Sequence, residues 1–229
     1  MTDRPPAGDA GTSPRGGPNW GLIAAVLGVV ALAAVAAFFL LGGTDDGLGG
    51  DGGGGGEFSF ALKGVRAVPI TRTPPADLKQ TAEDAGAGVK ATMDDLFFFG
   101  YVDEDSWGDY GDAFALFDEE AADQAEEDTD VLTLGADASE RYASVEPGTS
   151  TIRIAVLTDR RDRPVSAVAI ISFRGTAELQ DGSSTTIASS GSFFLRRAGQ
   201  EWRITAYRVD RDEEPASDGG SASPTEEAA

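Results

Sequence analysis

Four residues in the stretch Gly100–Asp112 have the types and spacing of a calcium loop. Asp103, Asp105, Gly108 and Asp109 occupy positions 1, 3, 6 and 7 of the EF-hand pattern, in which carboxylate oxygens wrap the ion and a glycine makes the sharp turn. Position 5 is Trp107, which offers no oxygen, and position 12 is Phe114, where the bidentate glutamate belongs. The expectation is therefore an acidic loop between helices whose Asp and Ser side chains cap the next helix, with calcium on Asp103, Asp105 and Asp109 as the alternative. Gly52, Gly54 and Gly56 alternate as in a phosphate-binding loop. No strand precedes them and no Lys or Ser/Thr follows at the right offset, so they belong to a linker.

The chain contains neither histidine nor cysteine. That removes an imidazole base, a thiolate nucleophile, a disulfide, a lipidated cysteine and a His/Cys zinc site. Asp/Glu, Tyr, Lys and Ser chemistry remains. Tyr101, Tyr110, Tyr142 and Tyr207 stand among 39 acids, and no spacing picks out a positioned acid–base pair. The sequence predicts a protein that is not an enzyme and carries no cofactor. Phe97, Phe98, Phe99, Tyr101 and Trp107 form an aromatic group at the end of a helix. Core packing is one reading of it, and the lining of a pocket for an apolar ligand or lipid is the other.

Net charge is −21, unevenly distributed. Residues 77–140 carry 20 acids against Lys79 and Lys90, net −18, whereas residues 141–211 carry 11 arginines against 7 acids, net +4. An acidic excess of this size argues against nucleic acid, whose phosphates must be neutralised by Lys and Arg.

These residues are placed by a chain of simple organisation. Gly21–Leu41 is a run of 21 residues without a charge; at about 1.5 Å per residue it matches the hydrocarbon core of a bilayer, and we read it as one membrane-spanning helix. It is longer than the apolar core of a cleaved signal peptide. Arg4 and Arg15 precede it and Lys63 is the next basic residue after it, which places the N-terminus in the cytoplasm and the remainder outside. The sequence thus divides into a disordered cytoplasmic tail (1–19), the transmembrane helix (20–41), a glycine-rich linker (42–57), one extracytoplasmic α+β domain (58–211) and a disordered acidic tail (212–229).

Within the domain, Phe58, Phe60 and Leu62 alternate with polar or small residues as in a half-buried strand running to Ile70, and Pro69 confines it to an edge. Thr73-Pro74-Pro75 starts a helix. Leu78, Ala82, Ala85, Val89, Met93, Leu96 and Phe97 form its apolar face to about Phe99, with Gly86 and Gly88 weakening it. A second helix is expected from the acidic loop to Asp128 on Phe114, Phe117, Ala121 and Ala125, followed by Val131, Leu132 and Leu134 packing inward. The capping box Asp137-Ala138-Ser139-Glu140 opens a short helix to about Ala143. The rest is an antiparallel sheet: Thr151–Thr158, a central strand Val165–Ala177, Thr185–Arg197 with a bulge or bend at Gly191, and Trp202–Asp210. In the last, Trp202, Ile204 and Ala206 share a face and Tyr207 and Val209 take the other.

Helices first, then long strands ending in Phe193-Phe194-Leu195-Arg196 and Glu201-Trp202-Arg203-Ile204, resemble the cone-shaped fold of the nuclear transport factor 2 and ketosteroid isomerase-like superfamily. The closest likeness is to bacterial envelope members with one N-terminal anchor, such as the Mce-associated membrane proteins. The resemblance covers about residues 74–211 and implies two to three helices packed on a curved antiparallel sheet. It carries over no site residue: the dehydratase-type site uses histidine, which is absent. The implied role is a membrane-anchored, non-catalytic interaction module with an envelope protein as partner.

Overall fold

The computed structural model describes residues 58–70 and 75–216. The apolar span Gly21–Leu41, the linker, the helix-start residues Thr73 and Pro74, and the chain beyond residue 216 lie outside the described residues. Among the described residues, no helix is long and apolar enough to cross a membrane. The elements are β1 (Ala61–Pro69), α1 (Lys79–Phe97), α2 (Gly111–Phe114), α3 (Glu119–Glu127), α4 (Thr129–Leu132), α5 (Ala138–Arg141), β2 (Tyr142–Pro147), β3 (Thr151–Thr158), β4 (Pro164–Leu179), β5 (Ser184–Ala198) and β6 (Glu201–Pro215). They form an α+β fold in which helices pack on one curved, largely antiparallel sheet of order β1-β3-β4-β5-β6, with β2 pairing β4 beyond the end of β3.

α1 forms where its period predicts, and all seven residues of its expected apolar face are buried, Val89, Met93 and Leu96 completely. Its two glycines have a reason that helix propensity does not supply. A Cβ on Gly86 would stand 2.8 Å from both Val65 methyls, and one on Gly88 would stand 2.9 Å from the Trp202 ring. They let α1 lie close against β1 and β6. Asp94 fixes the chain's entry into the sheet: it accepts from the Phe60 N–H at 2.9 Å and from Ser59 Oγ at 3.1 Å, and pairs with Lys90 at 2.6 Å.

β4 is central, as its two apolar faces require. β1 is an edge strand, but it runs parallel to β3, so the sheet is not wholly antiparallel. The register shifts between Leu62 and Gly64, and this reverses the strand's facing: Phe58 and Phe60 point in, then Val65 and Ala67 do, and Leu62 is left 41% exposed. β6 contains the same device. Phe194 lies opposite Ala206 and Leu195 opposite Ile204, so Thr205 is the extra residue of a bulge. Beyond it Tyr207, Val209, Arg211 and Glu213 join Trp202 and Ile204 on the inner face, and Ala206 is exposed. Gly191, by contrast, holds regular register with both neighbours. What it provides is close approach, because a Cβ there would lie 2.2 Å from the Arg208 carbonyl oxygen.

Four other expectations change. The second helix is broken into α2 and α3, because the intervening Leu116–Asp118 backbone bonds the sheet instead: Ile204 N–H donates to the Leu116 carbonyl at 3.0 Å and Asp118 N–H to that of Ile204 at 2.8 Å. The Asp118 carboxylate then caps α3 by accepting from Ala121 N–H at 3.1 Å. α5 ends at Arg141, and Tyr142 opens a strand the sequence reading lacks. Val131 is exposed, while Leu132 and Leu134 are buried. Finally, the sheet does not stop at Arg211. Residues Asp212–Pro215, assigned by composition to the acidic tail, pair with Thr185–Ala188.

Candidate functional site

The calcium residues do not converge. Asp103 accepts a hydrogen bond from Ser106 Oγ at 2.5 Å, Asp105 is exposed on a 3-10 turn, and Asp109 Oδ1 faces the Gly111 N–H at 3.4 Å. Among the described residues, no group of three or more carboxylates could hold a metal ion. Trp107, at the position where a ligand oxygen would be needed, is buried against Tyr142 with ring centres 6.2 Å apart. The loop is held by an apolar anchor.

Nor do the five aromatics of the pocket reading line one space. Phe97 and Tyr101 stack at 5.2 Å with planes 7° apart, and both lie against Phe173, at 5.4 and 4.9 Å. Phe60 and Phe193 close the remaining sides of Phe97. Phe98 and Phe99 follow on a π-helical turn, half-buried and edge-to-face with each other. The group therefore splits between core, shoulder and loop.

The densest polar constellation lies elsewhere, where the last residues of β6 meet the start of β2. Glu213 accepts from Tyr142 Oη at 2.5 Å and from Arg141 Nη2 at 2.8 Å. Arg211 donates to Tyr142 Oη at 3.1 Å and to the Asp130 carbonyl at 2.8 Å, and stands 3.9 Å from Glu213. The Arg141 guanidinium lies 5.0 Å from the centre of the Tyr142 ring. The cluster borders a cleft of about 630 Å³ lined by Arg141, Leu179, Ser183, Thr185, Glu213 and Pro215. Glu213 escaped the sequence reading because it stands in an acid-rich stretch. The signal that could have found it is the alternation of Tyr207, Val209, Arg211 and Glu213, which continues straight past Arg211.

The other tyrosine hydroxyls hold one segment. Tyr207 donates to Asp128 Oδ2 at 2.7 Å, Tyr101 to the Val131 carbonyl at 3.3 Å and Tyr110 to the Gly135 carbonyl at 2.9 Å. With the Arg211 bond to Asp130, these fasten residues 128–135 to the sheet and core at four points.

This arrangement sets the chemistry available. Burial pushes Tyr142 up to about 12, the bond to Glu213 pushes the same way, and Arg211 opposes them. Burial also raises Tyr101 to about 12, and it raises Tyr110 and Tyr207. At neutral pH these phenols are hydrogen-bond donors and not bases. Because the folded protein holds its phenolic protons more tightly than the unfolded chain, their contribution to stability is complete below the ordinary tyrosine range near pH 10 and is lost as pH rises through about 12. Since all four tyrosines of the chain are raised, alkaline titration followed by phenolate absorbance should show no ionisation near pH 10, then a single cooperative rise coincident with loss of circular dichroism. A tyrosine titrating near pH 10 in the folded state would contradict these bonds.

The chain matches no protein-family model and no curated protein sequence.

Proposed function

We propose that this chain is a single-pass protein of the bacterial cell membrane that displays a non-catalytic, nuclear transport factor 2-like domain outside the cytoplasm for an envelope protein partner. The non-catalytic part rests on one observation: the hydroxyl of every tyrosine is bonded within the domain, and Glu213, the carboxylate beside the cleft, already accepts from a phenol and an arginine. In a chain without histidine or cysteine, phenols and carboxylates are among the groups left to do acid–base work. The location rests on the Gly21–Leu41 span and the linker behind it.

Fractionation of cells expressing the full chain tests the location. The protein should resist carbonate extraction, and protease added outside spheroplasts should digest the domain. Release by carbonate, or protection of the domain, would sink the proposal. Crosslinking on intact cells should then capture a protein partner.

A further inference from the structure

The strand register turns the charge asymmetry of the sequence into a direction. At one end of the sheet lie the β3–β4 turn, residues 159–163, and the β5–β6 turn region, residues 196–203, brought level by the pairs Leu157↔Ser166, Ser166↔Arg196 and Arg196↔Arg203. Together they hold six arginines against three acids, net +3. At the opposite end, residues 178–184 and 210–214 hold six acids against Arg211, net −5. Along β6 the outward residues read Arg203, Ala206, Arg208, Asp210, Asp212 and Glu214, so the sign changes midway along the strand.

The basic end continues onto the sheet face opposite the helices. Arg66, Arg196 and Arg208 are exposed there, flanking a stripe in which Ala155 pairs with Val168 and Val168 with Phe194; Ala155 and Val168 are themselves buried, so the arginines and not the stripe present the surface. Some of the charge is already engaged: Arg163 with Asp159 at 2.6 Å, Arg196 with Asp118 at 3.3 Å and Arg203 with Glu201 at 2.7 Å. Arg66, Arg160, Arg161 and Arg208 have no such partner among the described residues.

We infer that this corner of the sheet, presented by Arg66, Arg160, Arg161, Arg196 and Arg208, rests on the anionic lipid headgroups of the membrane to which the chain is anchored. The inference depends on the anchor proposed above. Charge complementarity selects the surface and the linker permits it. Sixteen linker residues reach about 55 Å when extended, more than the roughly 30 Å of β1, so the membrane is within reach of either end of the sheet. The domain's overall charge is negative and opposes approach. At about 0.1 M salt, however, the Debye length is near 10 Å, so the headgroups respond to the nearest face and not to the acidic helices behind the sheet. Docking by this corner leaves those helices turned outward for the partner.

The absence of cysteine makes the test direct. Full-length chains carrying Ala198→Cys, at the basic end, or Ser184→Cys, at the acidic end, are each labelled with one donor fluorophore and placed in lipid nanodiscs containing an acceptor-labelled lipid. One set of discs is phosphatidylcholine alone and the other is mainly phosphatidylglycerol. With phosphatidylglycerol at about 0.1 M salt, energy transfer should be stronger from Ala198→Cys than from Ser184→Cys, and about 1 M salt should abolish the difference. Arg160→Ala and Arg161→Ala should each reduce the docked population roughly fivefold. Equal transfer from the two positions, or the same pattern in phosphatidylcholine, overturns the docking while leaving the anchor intact. A chain that does not remain with the discs overturns the anchor and this inference with it.

Discussion

Replacing Gly191 by alanine is expected to destabilise the domain by about 3 kcal/mol or more, a large loss for one added methyl group. The new carbon would fall 2.2 Å from the Arg208 carbonyl oxygen and 2.8 Å from Val209 Cα. Both are backbone atoms of the paired strand, so no side-chain rotation relieves the contact and β5 and β6 must separate locally. Gly191 faces the core side of β5, between Ser189 and Phe193, and the β6 backbone closes over it. Denaturant unfolding of the full chain measures the effect, with Ser192→Ala as the neighbouring control. A loss below about 0.5 kcal/mol, the range of ordinary surface changes, would show that the strands do not approach so closely.

Phe97→Ala should cost about 3 to 5 kcal/mol, the usual loss on truncating a fully packed aromatic. Phe97 is 1% exposed and touches Phe58, Phe60, Tyr101, Phe173 and Phe193. Phe98→Ala and Phe99→Ala, on half-buried neighbours, should cost less than half as much. The comparison also decides between the two sequence readings of the aromatic group. A ring lining an open pocket has little to lose when shortened, because few atoms touch it on one side. Three similar and small losses would restore the pocket reading, whereas a large loss at Phe97 alone places it in the core.

Much of this fold was legible because its signals are local. The helix period from Leu78 to Phe97 and the alternation of Ile152, Ile154 and Val156 survive in the structure because each needs only one buried face. β4 could be placed in the centre because apolar residues occur on both of its faces. The misses share a different cause. Ala206 falls on the other side because the bulge at Thr205 reverses the facing of everything beyond it, and Leu62 turns outward where it adjoins the bulge at Lys63; neither Lys63 nor Thr205 announces a bulge by type. The break between α2 and α3 depends on bonds from Leu116 and Asp118 to Ile204, more than 80 residues away.

The polar cluster was illegible for the same reason. Arg141 and Tyr142 meet Arg211 and Glu213 only because β2 begins where β6 finishes, at one end of the sheet. Composition pointed the wrong way as well: the run Asp212-Glu213-Glu214 suggests solvent, yet its middle member, Glu213, faces inward. The calcium pattern shows the converse. Asp103, Asp105 and Asp109 fit a spacing rule, but the intervening Trp107 obeys a stronger demand for burial, and the chain folds around the indole.

The parallel pairing of β1 with β3 bears on how the domain withstands force. In the anchored arrangement proposed above, the chain enters the domain just ahead of β1, so tension between the membrane and a bound partner would be carried first by that strand. Its bonds to β3 run from Ala61↔Thr151 to Pro69↔Thr158, in unbroken register from Gly64 onward, and lie across the direction of pull. They are therefore loaded together in shear and do not open one at a time like a zipper. Ahead of them, the bonds of Asp94 to Phe60 and Ser59 tie the point of entry to α1. A strand at the edge of a sheet is ordinarily the easiest to peel away, and here its lengthwise attachment makes it a mechanically resistant place from which to hang the domain.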